Sequence, residues 1–542
     1  MMMATIIKTF YLNYYYYYCV LLSWLLLFVI FFFFFFRSQG DICVVESKIP
    51  LVENGLAAKP IKQDASVGFL SKSERGSAFR QVFAAFAANI GTVNTGLVFG
   101  FSAVVLPQLQ SSNSTIPINE EQASWVASLS SISTPIGCIL GGYLMDLIGR
   151  RMTLIVTEFP LIIGWLLIFS ANSVYMIYGG RLLVGFGSGM VGAPARVYTG
   201  EVTQPHLRGM LLALSSVGVS MGVLIEYLLG HFLTWHILAG ISACVPVLAL
   251  VLLFFLPETP NYLVSQNKTE DSRKALIKLR GSTCNVDAEL KILTDFSKKN
   301  NVKKIKGFKA LTSPTALKPF AILVTYFMFY QFSGVNTITF YAVEVFQQSG
   351  AQVNKYLATV ILGLVRVIFT VVACISLRKC GRRPLTMISG VGCSLTMFGL
   401  GTYMYYLNNC ELAGETPQNT WIPVACIFLF AIACTLGFLV VPWVMIGELF
   451  PIQVRGIFGG MTTCCAHLFV FIVVKTYPFL YHLIDRFGCF WLYGSVSLVG
   501  CIFFYFCVPE TKGKTLQEIE DHFAGRGNAL SRKRESVNQS LI

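Results

Sequence analysis

The chain places its charges at the same few points twice over, and this duplication restricts its fold more than any other feature. Gly149-Arg150-Arg151 returns as Gly381-Arg382-Arg383, and Gly200-Glu201 with Pro205 and Arg208-Gly209 returns as Gly447-Glu448 with Pro451 and Arg455-Gly456. Pro257-Glu258-Thr259 returns as Pro509-Glu510-Thr511. Three ordered pairs at offsets of roughly 230 to 250 residues indicate a duplicated half, of the kind membrane proteins arrange about a pseudo-two-fold axis. Each charged island separates long apolar runs. In the first, GGYLMDLIGRR at 141–151, two glycines allow close helix approach and the arginines follow in a tight turn. Arginines in a short loop between spans put that loop on the cytosolic side.

A chain of 542 residues that is 55% hydrophobic and 13% charged cannot clothe itself in charge, so lipid must be its main solvent. The net charge of +14 sits in segments between the apolar runs, which fits cytosolic loops beside anionic lipid and excludes a nucleic-acid partner. The 16 cysteines are scattered singly, several within spans (Cys374, Cys434, Cys501), and read as small packing residues. No metal-ligand spacing, phosphate loop or nucleophile elbow is present, so the sequence predicts no enzyme, cofactor, metal or obligate protein partner.

Residues 1–40 form a low-complexity apolar segment containing YYYYY and FFFFFF. It reads as a cleaved signal, an extra span or a wrong start site; the last is favoured, since cleavage would leave Lys72, Arg75 and Arg80 outside, against the charge rule. Beyond it the expected organisation is a cytosolic region at 41–81, a six-helix bundle at 82–256 and a cytosolic linker at 257–318. A second six-helix bundle at 319–508 and a cytosolic tail at 509–542 complete it. The predicted fold is therefore all-α, with twelve transmembrane helices in two pseudo-symmetric bundles. The linker carries Lys298, Lys299, Lys303, Lys304, Lys306 and Lys309. Asn113, in the first outer loop, is the expected glycosylation site.

Over about Phe83 to Phe523 the chain resembles the sugar porter family of the major facilitator superfamily, and within it the facilitated trehalose and facilitative glucose transporter groups. The resemblance rests on Asp146-x-x-Gly149-Arg150-Arg151, Gly180-Arg181, Glu201 with Arg208, PETP at 257, QFSGVN at 331, Pro442-Trp443, Glu448 with Arg455 and PETKGKT at 509. It implies alternating access, with two bundles rocking about a midplane site. Asp146, Arg150, Arg151, Glu201, Arg208, Arg382, Arg383, Glu448 and Arg455 would form a cytosolic gate. Opposed charges at helix ends can pair and part as bundles move, although singly such pairs contribute little and must act as a network. The alternative is that they only set topology.

A sugar site needs groups that donate and accept, beside an aromatic face. Gln331, Asn336 and Tyr341 in the seventh span, Trp443 in the tenth and Ser216 in the fifth are the candidates. On an ideal helix Gln331 and Asn336 stand about 140 degrees apart, so a break at Gly334 would help both face inward. Helix–helix bonding is the alternative role for the amides, and packing for Trp443.

The chain also departs from the family. Tyr330 stands for a glutamine, Leu439 to Trp443 replaces GPIPW, and Ala466, His467 and Val470 occupy the eleventh span where Asn and Trp are usual. Ser216 replaces a Gln, Asn261 an Arg, and Arg378 the second aspartate of the gate, which predicts a weaker second latch. Ser102 stands where proton symporters carry an Asp, pointing to uncoupled transport; His467 is expected to bond a neighbouring helix. Arg366, at an asparagine position, is costly in mid-membrane. Glu226 lies within about one helical turn of its depth, so a Glu226–Arg366 bridge between the halves is expected, against an Arg366 alone in the cavity. The leading expectation is a plasma-membrane facilitator of a hexose or trehalose-like sugar, not proton-coupled. The alternatives are an organic-anion or polyol carrier using Arg366, and a non-transporting sensor of the same fold.

Overall fold

The computed structural model describes residues 77–112, 114–204, 207–208, 211–281, 285–303, 314–350, 353–414, 416–451, 454–514 and 516–524. Residues 1–40, Asn113, Lys304, Lys306 and Lys309 lie outside this set, as do the side chains of Lys298, Lys299, Lys303 and Arg378. The first half contains α1 (Ala78–Leu109), α2 (Glu120–Leu147), α3 (Arg150–Phe169), α4 (Val174–Val202), α5 (Leu214–Phe232) and α6 (Trp235–Phe255). In the second half α7 runs Pro314–Tyr330, passes through a π turn at Gln331–Val335 and resumes as Asn336–Phe340. There follow α8 (Lys355–Cys380), α9 (Arg382–Ala413) and α10, whose parts Ile422–Leu436 and Val441–Leu449 are separated by a turn. The helix Arg455–Cys507 breaks at Ile484 and Asp485, where Asp485 has φ 59°, giving α11 (455–483) and α12 (486–507).

Among the described residues nine helices are long and apolar enough to cross a membrane. Large apolar side chains such as Ile139, Phe159, Ile163, Phe254, Ile388 and Leu395 point outward, as expected for lipid-facing helices. The two halves repeat one pairing scheme: α2, α3 and α4 pack on one another as α8, α9 and α10 do, and α3 meets α6 as α9 meets α12. The halves meet through α2 with α11, α5 with α8, and α1 with the outer part of α7. This pseudo-symmetric, two-bundle arrangement is the all-α fold that the duplicated sequence requires.

Small residues set the close contacts. A Cβ at Gly137 would lie 2.0 Å from the Phe186 carbonyl oxygen, and one at Gly189 2.1 Å from that of Thr134, so α2 and α4 touch backbone to backbone. Of the two glycines at 141 and 142 only Gly141 serves this purpose; Gly142 faces open space. The linker folds into helices Pro260–Ser265, Thr269–Arg280 and Val286–Lys303. Arg280 docks it: its guanidinium, 2% exposed, pairs with Glu289 at 2.8 Å and donates to the Val202 carbonyl at the end of α4 at 2.6 Å.

Candidate functional site

The repeated charges tie helix ends together, and they follow the same plan in each half. Gly149 (φ 97°) and Gly381 (φ 90°) stop one helix and start the next, in a backbone region that favours glycine. The free N–H groups that open α3 are taken by Glu258, which accepts from Arg150 N at 3.0 Å and Arg151 N at 3.1 Å. Those that open α9 are taken by Glu510, from Arg382 N at 3.1 Å and Arg383 N at 3.0 Å. A side chain at either glycine would strike this carboxylate, at 2.5 Å from Glu258 and 2.7 Å from Glu510.

The arginines close the other ends. Arg150 donates to the Met145 carbonyl at 3.3 Å and Arg382 to that of Leu377 at 3.2 Å. Arg151 reaches the end of α6 through Leu253 and Phe254, and Arg383 reaches α12 through Tyr505. Arg208 holds the Thr203 carbonyl and Arg455 that of Phe450, each five residues back. Cations at C-terminal carbonyls and carboxylates at N-terminal amides both oppose the helix dipole favourably.

The gate residues pair within their own halves. Arg150 meets Glu201 at 3.2 Å, and Arg382 meets Glu448 in a fork with contacts of 2.5 and 3.1 Å. Thr511 adds a 2.6 Å bond to Glu448. The second set of charges, expected to be the weaker, thus carries the same within-half arginine–glutamate pair as the first. Asp146, whose counterpart is lost at Arg378, lies 3.8 Å from Arg150 and is largely exposed, so its loss removes little.

At the centre, the π turn does what an ideal helix cannot. Gly334, at φ 89°, rests against Tyr493 and shifts the register of α7, so that the Asn336 amide donates to Gln331 Oε1. Both amides are buried. Trp443 stands half-buried where α10 is interrupted, with Phe327 4.9 Å away and the Arg196 guanidinium over its face at 5.0 Å. Ser216 is half-buried on α5.

Other expectations need correction. Glu226 and Arg366 form no ion pair: Glu226 turns into its own bundle, accepting from Ser242 Oγ at 2.6 Å, while Arg366 donates to Thr339 Oγ1 at 2.9 Å. Matching depth brought them level, but their azimuths on α5 and α8 point apart. Tyr341 packs α7 on α11, its hydroxyl bonded to the Val474 carbonyl at 3.0 Å and its ring beside Tyr477. The His467 ring bonds the Thr463 carbonyl of its own helix at 2.9 Å rather than a neighbour.

Several contacts between helices had no partner assigned from the sequence. Tyr227 donates to the Thr339 carbonyl at 2.7 Å, and Ser220 meets Thr370 at 2.9 Å, both across the halves. At the ends opposite the GRR turns, Lys475 donates to Ser124 at 2.7 Å and lies 4.0 Å over Trp125, and His482 meets Glu120 at 2.8 Å. Within the first half, Arg181 is fully buried and bonds Val126, Ala127 and Val98 carbonyls with Ser102 and Ser130 hydroxyls. Glu158 is also buried, against Gly91, with neither oxygen hydrogen-bonded among the described residues.

Comparison with known proteins agrees with this architecture. Residues 84–523 match the family described as Sugar (and other) transporter. The facilitated trehalose transporter Tret1 of Culex quinquefasciatus is 34% identical over 476 residues, covering 87% of this chain and 92% of that protein. Its namesake from Apis mellifera ligustica is 36% identical over 447 residues, covering 82% and 88%. Among solved structures, the proton:xylose symporter XylE bound to 6-bromo-6-deoxy-D-glucose aligns with a TM-score of 0.66 at 24% identity, over 81% of this chain and 99% of that one. A partially occluded inward open conformation of the xylose transporter XylE from E. coli also gives 0.66, at 22% identity, over 81% and 100%.

Proposed function

The chain belongs to the sugar transporter family, and from that premise we propose that it is a facilitative carrier, moving a hexose or a trehalose-like sugar across the membrane by alternating access. It is a multi-pass membrane transporter rather than an enzyme, and we assign it to the plasma membrane with the GRR turns in the cytosol. We count twelve crossings. The nine apolar helices supply ten, since Arg455–Cys507 breaks in two; glycine-rich α4, with Arg181 and Arg196, and α7, shortened by its π turn, supply the others.

The observation that carries this reading is the broken α7. It sets the Gln331 and Asn336 amides side by side in the interior of a membrane protein. An amide pair both donates and accepts, so on binding it can exchange its internal bond for bonds to sugar hydroxyls. Trp443 offers the ring face, with Ser216 and Arg366 as further contacts. Interruption of the helix is also where carriers expose backbone polarity to a cavity.

Gating follows from the charge pairs. Cross-half hydrogen bonds from His482 and Lys475 lie at the ends opposite the GRR turns, whereas the GRR-end charges bond within their own halves. We read this as a conformation closed outside and open toward the cytosol. In the opposite state, Glu201, Arg208, Glu448 and Arg455, with Asp146, Arg150, Arg151, Arg382 and Arg383, would face their counterparts and hold the inner side shut.

Uptake of labelled glucose and trehalose into oocytes, with and without a protonophore, tests the reading. Saturable uptake that persists without a proton gradient supports it. Uptake abolished by the protonophore contradicts facilitation, and no uptake with the protein at the surface contradicts transport of these sugars.

A further inference from the structure

Three arginines stand at membrane depth on the helices that form the core, and they are held in two different ways. Arg181 shows what a structural arginine requires: complete burial and bonds from its nitrogens to carbonyls and hydroxyls on α1 and α2. Arg366 and Arg196 lack such a shell. Among the described residues the Arg366 guanidinium makes one hydrogen bond, to Thr339, and its Nε is buried without a partner. Arg196 has no hydrogen-bond or ion-pair partner among the described residues; it stacks over Trp443, with Cys138 and His467 nearby. A guanidinium has five N–H donors, so most of this capacity is unspent.

Both groups lie against the same interrupted part of α10. Arg366 shares a cavity with Leu439, Thr435 and Tyr227, and Arg196 covers Trp443, four residues beyond Leu439. Arg196 enters from α4, whose side chains lean toward its N-terminus at the outer end, so its head reaches from the cytosolic side toward mid-membrane. The two carboxylates at comparable depth do not answer them. Glu226 is turned to Ser242, and Glu158 is enclosed against Gly91 of α1 and Val191 of α4. Arg366 and Arg196 are both half-buried, so their free N–H groups face the cavity rather than a protein carboxylate, and a negative group entering that cavity would meet two cations that no protein counter-charge neutralises.

We propose that the transported sugar carries an acidic group, a carboxylate or a phosphate ester, which binds Arg366 at the centre and passes to Arg196 on its way to the cytosol. This rests on the sugar-carrier reading and names the substrate class within it. The Gln331–Asn336 pair takes the hydroxyls, while the planar guanidinium fork takes the acid through paired N–H···O bonds, which a lysine cannot reproduce. A ring already stacked by Arg196 keeps that fork oriented.

The test uses the full chain in oocytes under voltage clamp, with labelled glucose, glucuronate and glucose 6-phosphate supplied separately. Saturable uptake of glucuronate or glucose 6-phosphate, accompanied by a current that glucose does not elicit, is the expected result, and the arm that succeeds identifies the acid. Loss of one charge-assisted hydrogen bond corresponds to about tenfold or more, so Arg366→Gln and Arg196→Gln should each raise the anion KM by at least that factor, with Arg366→Lys giving only partial recovery. Inhibition of glucose uptake by glucuronate or glucose 6-phosphate in the unaltered protein is expected independently of any variant. Glucose uptake with neither anion transported nor inhibiting overturns the inference and leaves the carrier reading standing. Transport of none of the three, with the protein at the surface, rejects both.

Discussion

The helix-end knots of the two halves are built alike, whereas the middles of the same halves are not. Glu258, accepting from the amides of Arg150 and Arg151, is matched by Glu510, accepting from those of Arg382 and Arg383. By contrast, α1 runs unbroken from Ala78 to Leu109 while its counterpart α7 breaks at Gly334. The difference separates two demands. Every helix end must satisfy its free backbone groups, and that need is the same in both halves. In the carrier proposed here a single cargo would bind once, between the halves, so nothing would keep their middles alike.

The comparison can be broken by substitution, starting where the largest effect is expected. Gly149→Val and Gly381→Val each add a β-branched side chain at positive φ and drive it into a carboxylate. Both should abolish surface expression, measured by biotinylation, to the same degree; tolerance at one site alone would show the knots to be unequal. Glu258→Ala and Glu510→Ala each leave two buried-end amides without an anionic acceptor. Each should cost about 2 to 4 kcal/mol, read as matched losses in thermal stability in detergent. Gly334→Ala should cost about 1 to 3 kcal/mol for the strained backbone, and lower uptake further by pressing on Tyr493. Asn336→Ala should raise the KM for sugar about tenfold while surface expression holds, since it removes one amide of the pair. Asp146→Asn is expected to change stability by less than about 0.5 kcal/mol, because that side chain is exposed.

Much of this was visible in the residues alone. The repeat announced two like halves, and Gly334 between Gln331 and Asn336 marked where a break would help both amides face inward; that the two bond to each other was not expected. The partners of the PET glutamates were not visible, because Glu258 and Arg150 are joined only by the return of α6 beside α3. Nor were those of Arg181, most of which are backbone carbonyls that any sequence supplies. The expected Glu226–Arg366 bridge failed because depth along a helix was matched while rotation about its axis was not. Tyr341 was misplaced for a related reason: beyond the π turn the register of α7 shifts, and the phenol turns to α11. A weaker second set of charges was expected from the missing aspartate at Arg378, but the arginine–glutamate pair of each half runs through Glu201 and Glu448 instead.

Counterflow in proteoliposomes tests alternating access most directly. Vesicles holding the purified protein are loaded with an excess of unlabelled substrate and diluted into a trace of labelled substrate, at equal pH and zero potential on both sides. A carrier whose single site faces each side in turn should accumulate label transiently above its equilibrium level and then release it. Label that only rises to equilibrium, or that overshoots only when a pH gradient is imposed, would contradict the account.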